Sequence, residues 1–190
     1  HVERMNEESA NALLKVMEEP PEGVLFLLTA DSLAGVLPTI RSRCISFAVA
    51  PVSPEECAQW CIGQGVDKKQ ARLYSELFDG HIGTVLAAAR DDARREQVEK
   101  ALTLAKAAAA HDSYAAAVLL AGYEKDKAAA AALLGDFQAV AAAGLRGCTS
   151  TPLTGDAARR ALSLADAAIQ RLAAQVNPKI TLSVLAAKLG

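Results

Sequence analysis

Residues 127–145 read Lys-Ala-Ala-Ala-Ala-Ala-Leu-Leu-Gly-Asp-Phe-Gln-Ala-Val-Ala-Ala-Ala-Gly-Leu, and alanine-rich sequence of this kind decides the fold class. Alanine accounts for 41 of the 190 residues, and 33 of these alanines follow Leu86. Because alanine has the highest helix propensity and is depleted from strands, the second half of the chain is predicted to be closely packed helices. Their predicted ranges are 94–110, 113–122, 126–134, 136–144, 156–176 and 178–189.

Composition and charge exclude several classes of protein. With 20 basic and 22 acidic side chains, the net charge of −2 gives no general attraction to nucleic acid or to an anionic membrane. No uncharged run of 18 apolar residues is present, so no membrane span is expected. The four cysteines show neither a C-x-x-C pair nor zinc-ligand spacing, which favours free thiols in a reducing cytoplasm. They are Cys44, Cys57, Cys61 and Cys148.

The first fifty residues have a different pattern. Asn6 has the features of a helix N-cap, and Pro20-Pro21 would end the helix that follows. Residues 24–30, an apolar run, and residues 45–49, with alternating apolar side chains, predict two short strands. A short helix interrupted near Pro38 is expected between them. The predicted fold class is therefore mainly α, with a small α/β remnant at the start.

Pro51 marks a predicted boundary. Ser53-Pro54-Glu55-Glu56 is typical of a helix start, with proline at the first helical position and glutamate at the third. Three short helices should follow, at 54–63, 68–78 and 82–90. The chain thus divides into three predicted domains: 1–48, 49–92 and 93–190.

Two segments carry a resemblance to a known family. Residues 11–21 read N-A-L-L-K-V-M-E-E-P-P, and residues 37–44 read L-P-T-I-R-S-R-C. This order resembles the clamp-loader branch of the AAA+ ATPases, in which N-A-L-L-K-x-x-E-E-P-P precedes a strand and a helix that ends in S-R-C. The resemblance is strong over residues 1–50 and moderate over 51–90. It implies that the three predicted domains are the end of an AAA+ core, a three-helix lid and a helical collar that joins subunits.

The resemblance assigns a role to Arg43. In this family the S-R-C arginine enters the ATP site of the neighbouring subunit, so Arg43 would be an arginine finger acting in trans, with Ser42 and Cys44 supporting the motif. Such an arginine is worth roughly 10³–10⁵ in rate. Two alternatives remain open from the residues alone. Arg43 could pair with a carboxylate near a helix C-terminus, and Arg41 is the adjacent candidate.

The chain lacks the family's signs of a nucleotide site of its own. The phosphate-binding pattern G-x-x-x-x-G-K-[ST] is absent and would lie upstream of His1, so we expect an N-terminally truncated fragment. In the first sensor region the polar side chains are Thr29 and Asp31. Residues 79–86 align with the second-sensor pattern D-G-S-x-R-x-A-L, and Gly83 stands where the arginine would be. No cofactor and no metal are therefore expected here, with ATP bound by neighbouring subunits.

The resemblance as a whole implies a non-hydrolysing stator subunit. It would belong to a hetero-pentamer with the ATP-hydrolysing tau/gamma subunits and the delta subunit, which loads a sliding clamp on primer-template DNA in the cytoplasm. It would not be catalytic itself, although its holoenzyme is a DNA-directed nucleotidyltransferase. A tau/gamma-like hydrolysing subunit and a helical scaffold are the alternatives. Glu18 and Glu19 end a helix before two prolines, which favours a structural or interface role over acid–base catalysis.

Overall fold

The computed structural model describes residues 1–30, 32–50 and 52–190. The predictions that rest on Asp31 as a sensor residue and on Pro51 as a boundary lie outside these residues. The chain forms two compact units, His1–Ala50 and Pro51–Gly190, called here the N-terminal and C-terminal units. The predicted collar and all but the first two residues of the predicted lid belong to the C-terminal unit.

The N-terminal unit is built on two helices, α1 (Glu7–Glu18) and α2 (Pro38–Arg41). Asn6 caps α1 because its side chain accepts a hydrogen bond from the Ser9 backbone N–H at 2.8 Å. A 3₁₀ turn at Leu33–Gly35 precedes α2. Three buried side chains hold these elements together in a small apolar core: Ala10, Val36 and Ile40.

The two predicted strands do not form in this structure. Neither 24–30 nor 45–49 forms a strand, and no strand occurs among the described residues. A strand needs a hydrogen-bonded neighbour, and an apolar strand also needs a surface that covers its side chains. Among the described residues these segments form no ladder of backbone hydrogen bonds, and most of their large apolar side chains are exposed to solvent, with Phe47 85% exposed and Val49 93% exposed.

The C-terminal unit contains eight helices among its described residues. They are α3 (Pro54–Gly63), α4 (Lys68–Leu77), α5 (Ile82–Arg90), α6 (Asp92–Ala109), α7 (Ser113–Ala121), α8 (Lys127–Leu145), α9 (Gly155–Ala173) and α10 (Pro178–Leu189). The chain is therefore mainly α, as predicted. The predicted break at Gly135 does not occur, because α8 runs through it as a single helix.

Side-chain caps explain where most of these helices begin. Ser53 and Glu56 form a reciprocal capping box at α3, in which each side chain satisfies a backbone N–H of the other residue. This contact lowers the pKa of Glu56, since the Ser53 side chain and backbone donate to the ionised carboxylate. Aspartate side chains cap α4, α6, α7 and α8 by accepting hydrogen bonds from backbone N–H groups of the first turn, at Asp67, Asp91, Asp112 and Asp126.

Helix α8 lies at the centre of the C-terminal unit, packed against α6 and α9. Phe137 and the leucines Leu133 and Leu134 are fully buried, and the alanines of neighbouring helices let the backbones approach closely. By length and composition α8 could also cross a membrane, but half of it is buried inside the unit. A core helix of a bundle has the same composition.

Candidate functional site around Arg43

The position of Arg43 is set by α2 and the turn that follows it. Pro38 occupies the first turn of α2, where its missing N–H costs nothing. Ile40 is only 1% exposed and packs into the small core of the N-terminal unit. The Arg43 backbone N–H then donates to the Ile40 carbonyl at 3.1 Å. The backbone of Arg43 is thus attached to a buried anchor, while its side chain remains partly in solvent.

The Arg43 guanidinium contacts three acceptors. Its Nη2 donates to Glu18 Oε1 at 2.5 Å. Its Nη1 donates to the Thr39 carbonyl oxygen at 3.1 Å and lies 3.4 Å from Ser42 Oγ. The first acceptor belongs to α1, and the other two belong to α2 and the turn after it. The guanidinium therefore bridges the two helices of the N-terminal unit.

The charges around this bridge complement each other. Glu18 is the last residue of α1, where the negative end of the helix dipole disfavours a carboxylate. The positive charge of Arg43 offsets that cost. Both side chains remain partly solvated, Arg43 at 39% and Glu18 at 52% exposure, so solvent screens the pair.

Of the two roles weighed for Arg43, the structure shows a contact with a carboxylate at a helix C-terminus, and the role in trans stays a prediction. Sequence reasoning assigned Glu18 a structural or interface role and did not link it to Arg43, which lies 25 positions away. The one available signal was a carboxylate at a helix end that disfavours it.

The other motif residues support the turn. Ser42 Oγ donates to the Thr39 carbonyl at 3.0 Å, which helps to close the last turn of α2. Cys44 is partly buried against the small core.

Arg41, the adjacent candidate, ends α2 and is exposed. The Thr29 carbonyl accepts a hydrogen bond from the Val2 backbone N–H at 2.9 Å.

Gly83, the residue aligned with the second-sensor arginine, belongs to the C-terminal unit. It is the second residue of α5, and a Cβ atom built there would meet no atom within 4 Å. The site therefore has room for a side chain. No steric reason at this position requires glycine.

The cysteines fit the prediction of free thiols. All four are free, and Cys57 and Cys61 are fully buried in the C-terminal unit. Burial, together with the neighbouring Cys57, raises the pKa of the Cys61 thiol to about 11, which keeps it protonated near neutral pH. Within the described ranges no three metal-ligating side chains cluster.

Comparisons with known proteins find similarity in the part of the chain that contains the two motifs, residues 11–21 and 37–44. The family model described as DNA polymerase III, delta subunit, matches residues 1–53. The delta' subunit of DNA polymerase III from Yersinia pestis is 45% identical over 60 residues, which are 32% of this chain and 18% of that protein. The Haemophilus influenzae delta' subunit is 47% identical over 71 residues, or 37% of this chain and 22% of that protein.

A gamma subunit also matches. DNA polymerase III subunit gamma from Buchnera aphidicola subsp. Schizaphis graminum is 30% identical over 91 residues, which are 45% of this chain and 25% of that protein. The chain thus spans about a fifth to a quarter of the length of these three relatives. No solved structure is significantly similar to it.

These matches show that the N-terminal part of the chain is similar to DNA polymerase III subunits named delta' and gamma. The similarity to several delta' subunits confirms the family resemblance drawn from residues 11–21 and 37–44.

Proposed function

We propose that this chain is part of a non-hydrolysing clamp-loader subunit, in which Arg43 acts on ATP bound by a neighbouring ATPase subunit. The observation that carries the proposal is the S-R-C turn, which lies within the family match and presents a partly exposed guanidinium from a buried anchor. Guanidinium suits the task because it stays charged and its planar fork fits phosphate oxygens.

The proposal includes an AAA+ core around the N-terminal unit. Residues 24–30 and 45–49 would become strands when further strands of that core lie beside them. Three features of these segments support this part of the proposal. Their sequence is apolar, their backbone has no regular structure, and many of their side chains are exposed, such as Leu27 at 86% and Ile45 at 84%. Pairing would satisfy the backbone groups and cover the apolar side chains.

The remaining parts of the proposal follow the same family. The C-terminal unit would supply the lid and the collar, and the collar would join the tau/gamma and delta subunits in a hetero-pentamer. ATP would be bound by those neighbours and not by this chain, which has glycine at position 83 and lacks the phosphate-binding pattern. The assembly would load the sliding clamp on primer-template DNA in the cytoplasm, as part of the polymerase holoenzyme.

The alternative is a gamma-like ATP-hydrolysing subunit, and the match to a gamma subunit favours it. An ATPase measurement on the whole subunit proposed to contain this chain separates the two, because these 190 residues lack the phosphate-binding pattern under either hypothesis. Our proposal expects no turnover above buffer, whereas measurable turnover that depends on this subunit would contradict it.

The test of Arg43 is substitution in a complex reconstituted with its partner ATPase subunits. Arg43→Ala should leave assembly intact and slow hydrolysis at the site it faces by roughly 10³-fold or more, so that total turnover falls by that site's share. Arg41→Ala is the matched control, since it removes the same charge two residues away. Unchanged turnover and clamp loading with Arg43→Ala would refute the assignment.

A further inference from the structure

The contact between Glu18 and Arg43 gives the proposed finger a defined resting position. Both Nη atoms of Arg43 are engaged, Nη2 by Glu18 and Nη1 by the Thr39 carbonyl. An arginine with both Nη atoms engaged has fewer free donors for a phosphate. Contact with a nucleotide on another subunit therefore requires at least one of these hydrogen bonds to be exchanged.

We propose that Glu18 is a resting partner of Arg43, which holds the guanidinium at the C-terminal end of α1 until a phosphate of the neighbour's nucleotide replaces the carboxylate. This inference rests on the proposed function of Arg43. Glu18 acts through the arginine and touches no reacting atom, so it is a positioning residue.

The strength of the contact suits an exchange of this kind. Both side chains are more than a third exposed, and ion pairs in such surroundings shift populations by only about 1.4- to 5-fold. A nucleotide phosphate carries more negative charge than one carboxylate and offers several oxygens to the guanidinium fork. Glu18 can therefore order the side chain without preventing its transfer to phosphate.

The placement of Glu18 is built into the N-terminal unit and is not a chance contact between two mobile side chains. Ala10 of α1 and Ile40 of α2 are both buried in the same small core, with 0% and 1% exposure. The core fixes the end of α1 beside the turn after α2. Glu19 follows directly as the C-cap residue of α1 and makes no hydrogen bond or ion pair with Arg43, so it offers a matched control.

The first measurement concerns the contact itself and does not depend on ATP. Guanidinium NMR of Arg43 in the 190-residue chain reports rotation about its Nε–Cζ bond. We expect hindered rotation in the wild type and in Glu19→Gln, and faster rotation in Glu18→Gln. Equal rotation in all three proteins would overturn the inference.

The second measurement is ATP hydrolysis by the reconstituted complex. Glu18→Gln should lower KM for ATP by about 1.4- to 5-fold and leave kcat unchanged, because the carboxylate competes only before phosphate is bound. Glu19→Gln should change neither. A lower kcat or an unchanged KM in Glu18→Gln would overturn the inference.

Arg43→Ala, assayed in parallel, separates this inference from the proposed function. If Arg43→Ala is inactive at its site while Glu18→Gln matches the wild type, only the role of Glu18 fails. If Arg43→Ala hydrolyses ATP normally, the finger and the resting partner fail together, whatever the NMR shows.

Discussion

Arg94 and Asp136 form the most buried ion pair of the C-terminal unit. Both Nη atoms of Arg94 donate to the two carboxylate oxygens of Asp136, whose side chain is only 7% exposed. The hydrogen bonds to Asp136 raise the pKa of Arg94, and its guanidinium lies 5.7 Å from the ring centroid of Phe78. Asp136 is buried in the middle of α8, so its charge needs this partner.

We expect Asp136→Ala to lower the free energy of unfolding by about 2–3 kcal/mol. Removal of Asp136 leaves the Arg94 charge unpaired. Because the Arg94 side chain is 24% exposed, the loss of stability should be smaller than for a fully buried pair. Urea denaturation measures the change. Asp166→Ala is the control, because the exposed Asp166 on α9 should alter stability by less than about 0.5 kcal/mol. Equal losses in both variants would refute the assignment.

At the scale of elements, α8 contains two glycines in opposite surroundings. A Cβ built on Gly144 would lie 2.0 Å from the Leu153 carbonyl oxygen, in the chain leading into α9. A Cβ on Gly135 would meet nothing within 4 Å. Glycine is thus required at position 144, because the backbone near Leu153 leaves no room for a Cβ atom. At position 135 no steric reason requires glycine, and glycine there weakens the helix.

We therefore expect Gly135→Ala to stabilise the C-terminal unit by about 0.5–1 kcal/mol, since alanine favours the helical state. Gly144→Ala should destabilise it, because a clash with backbone cannot be relieved by a side-chain rotation. Thermal unfolding followed by circular dichroism compares the two. A stabilising Gly144→Ala would show that the loop after α8 moves away freely.

The same helix shows the limit of sequence reasoning about elements. Gly135 predicted a break because glycine lowers helix propensity, yet α8 continues through it. Leu133, Leu134 and Phe137 on either side are fully buried, and their burial outweighs a local cost of about 1 kcal/mol. Tertiary packing therefore made α8 one continuous helix. The spacing of residues along the chain does not reveal such packing.

For the whole molecule, each unit has its own apolar core. We expect the chain shortened to residues 52–190 to keep its helicity and to unfold cooperatively, because its large core lies entirely within that range. Circular dichroism during thermal unfolding tests this. Loss of cooperative unfolding would contradict it.

The same shortened chain should bind less of a hydrophobic dye than the 190-residue chain. Removal of residues 1–51 takes away several of the most exposed large apolar side chains: Leu25, Leu27, Ile45, Phe47 and Val49. Equal dye binding by both proteins would show that the C-terminal unit supplies the apolar surface.

Local sequence determined most helix positions in the C-terminal unit, their aspartate and serine caps, and the S-R-C motif. Helix propensity, capping and short motifs each act over only a few residues. Tertiary structure decided three other matters. It joined the two predicted parts of α8, left residues 24–30 and 45–49 without strand partners, and brought Glu18 to Arg43. Each depends on which distant residues lie close together, and local sequence carries no direct record of that.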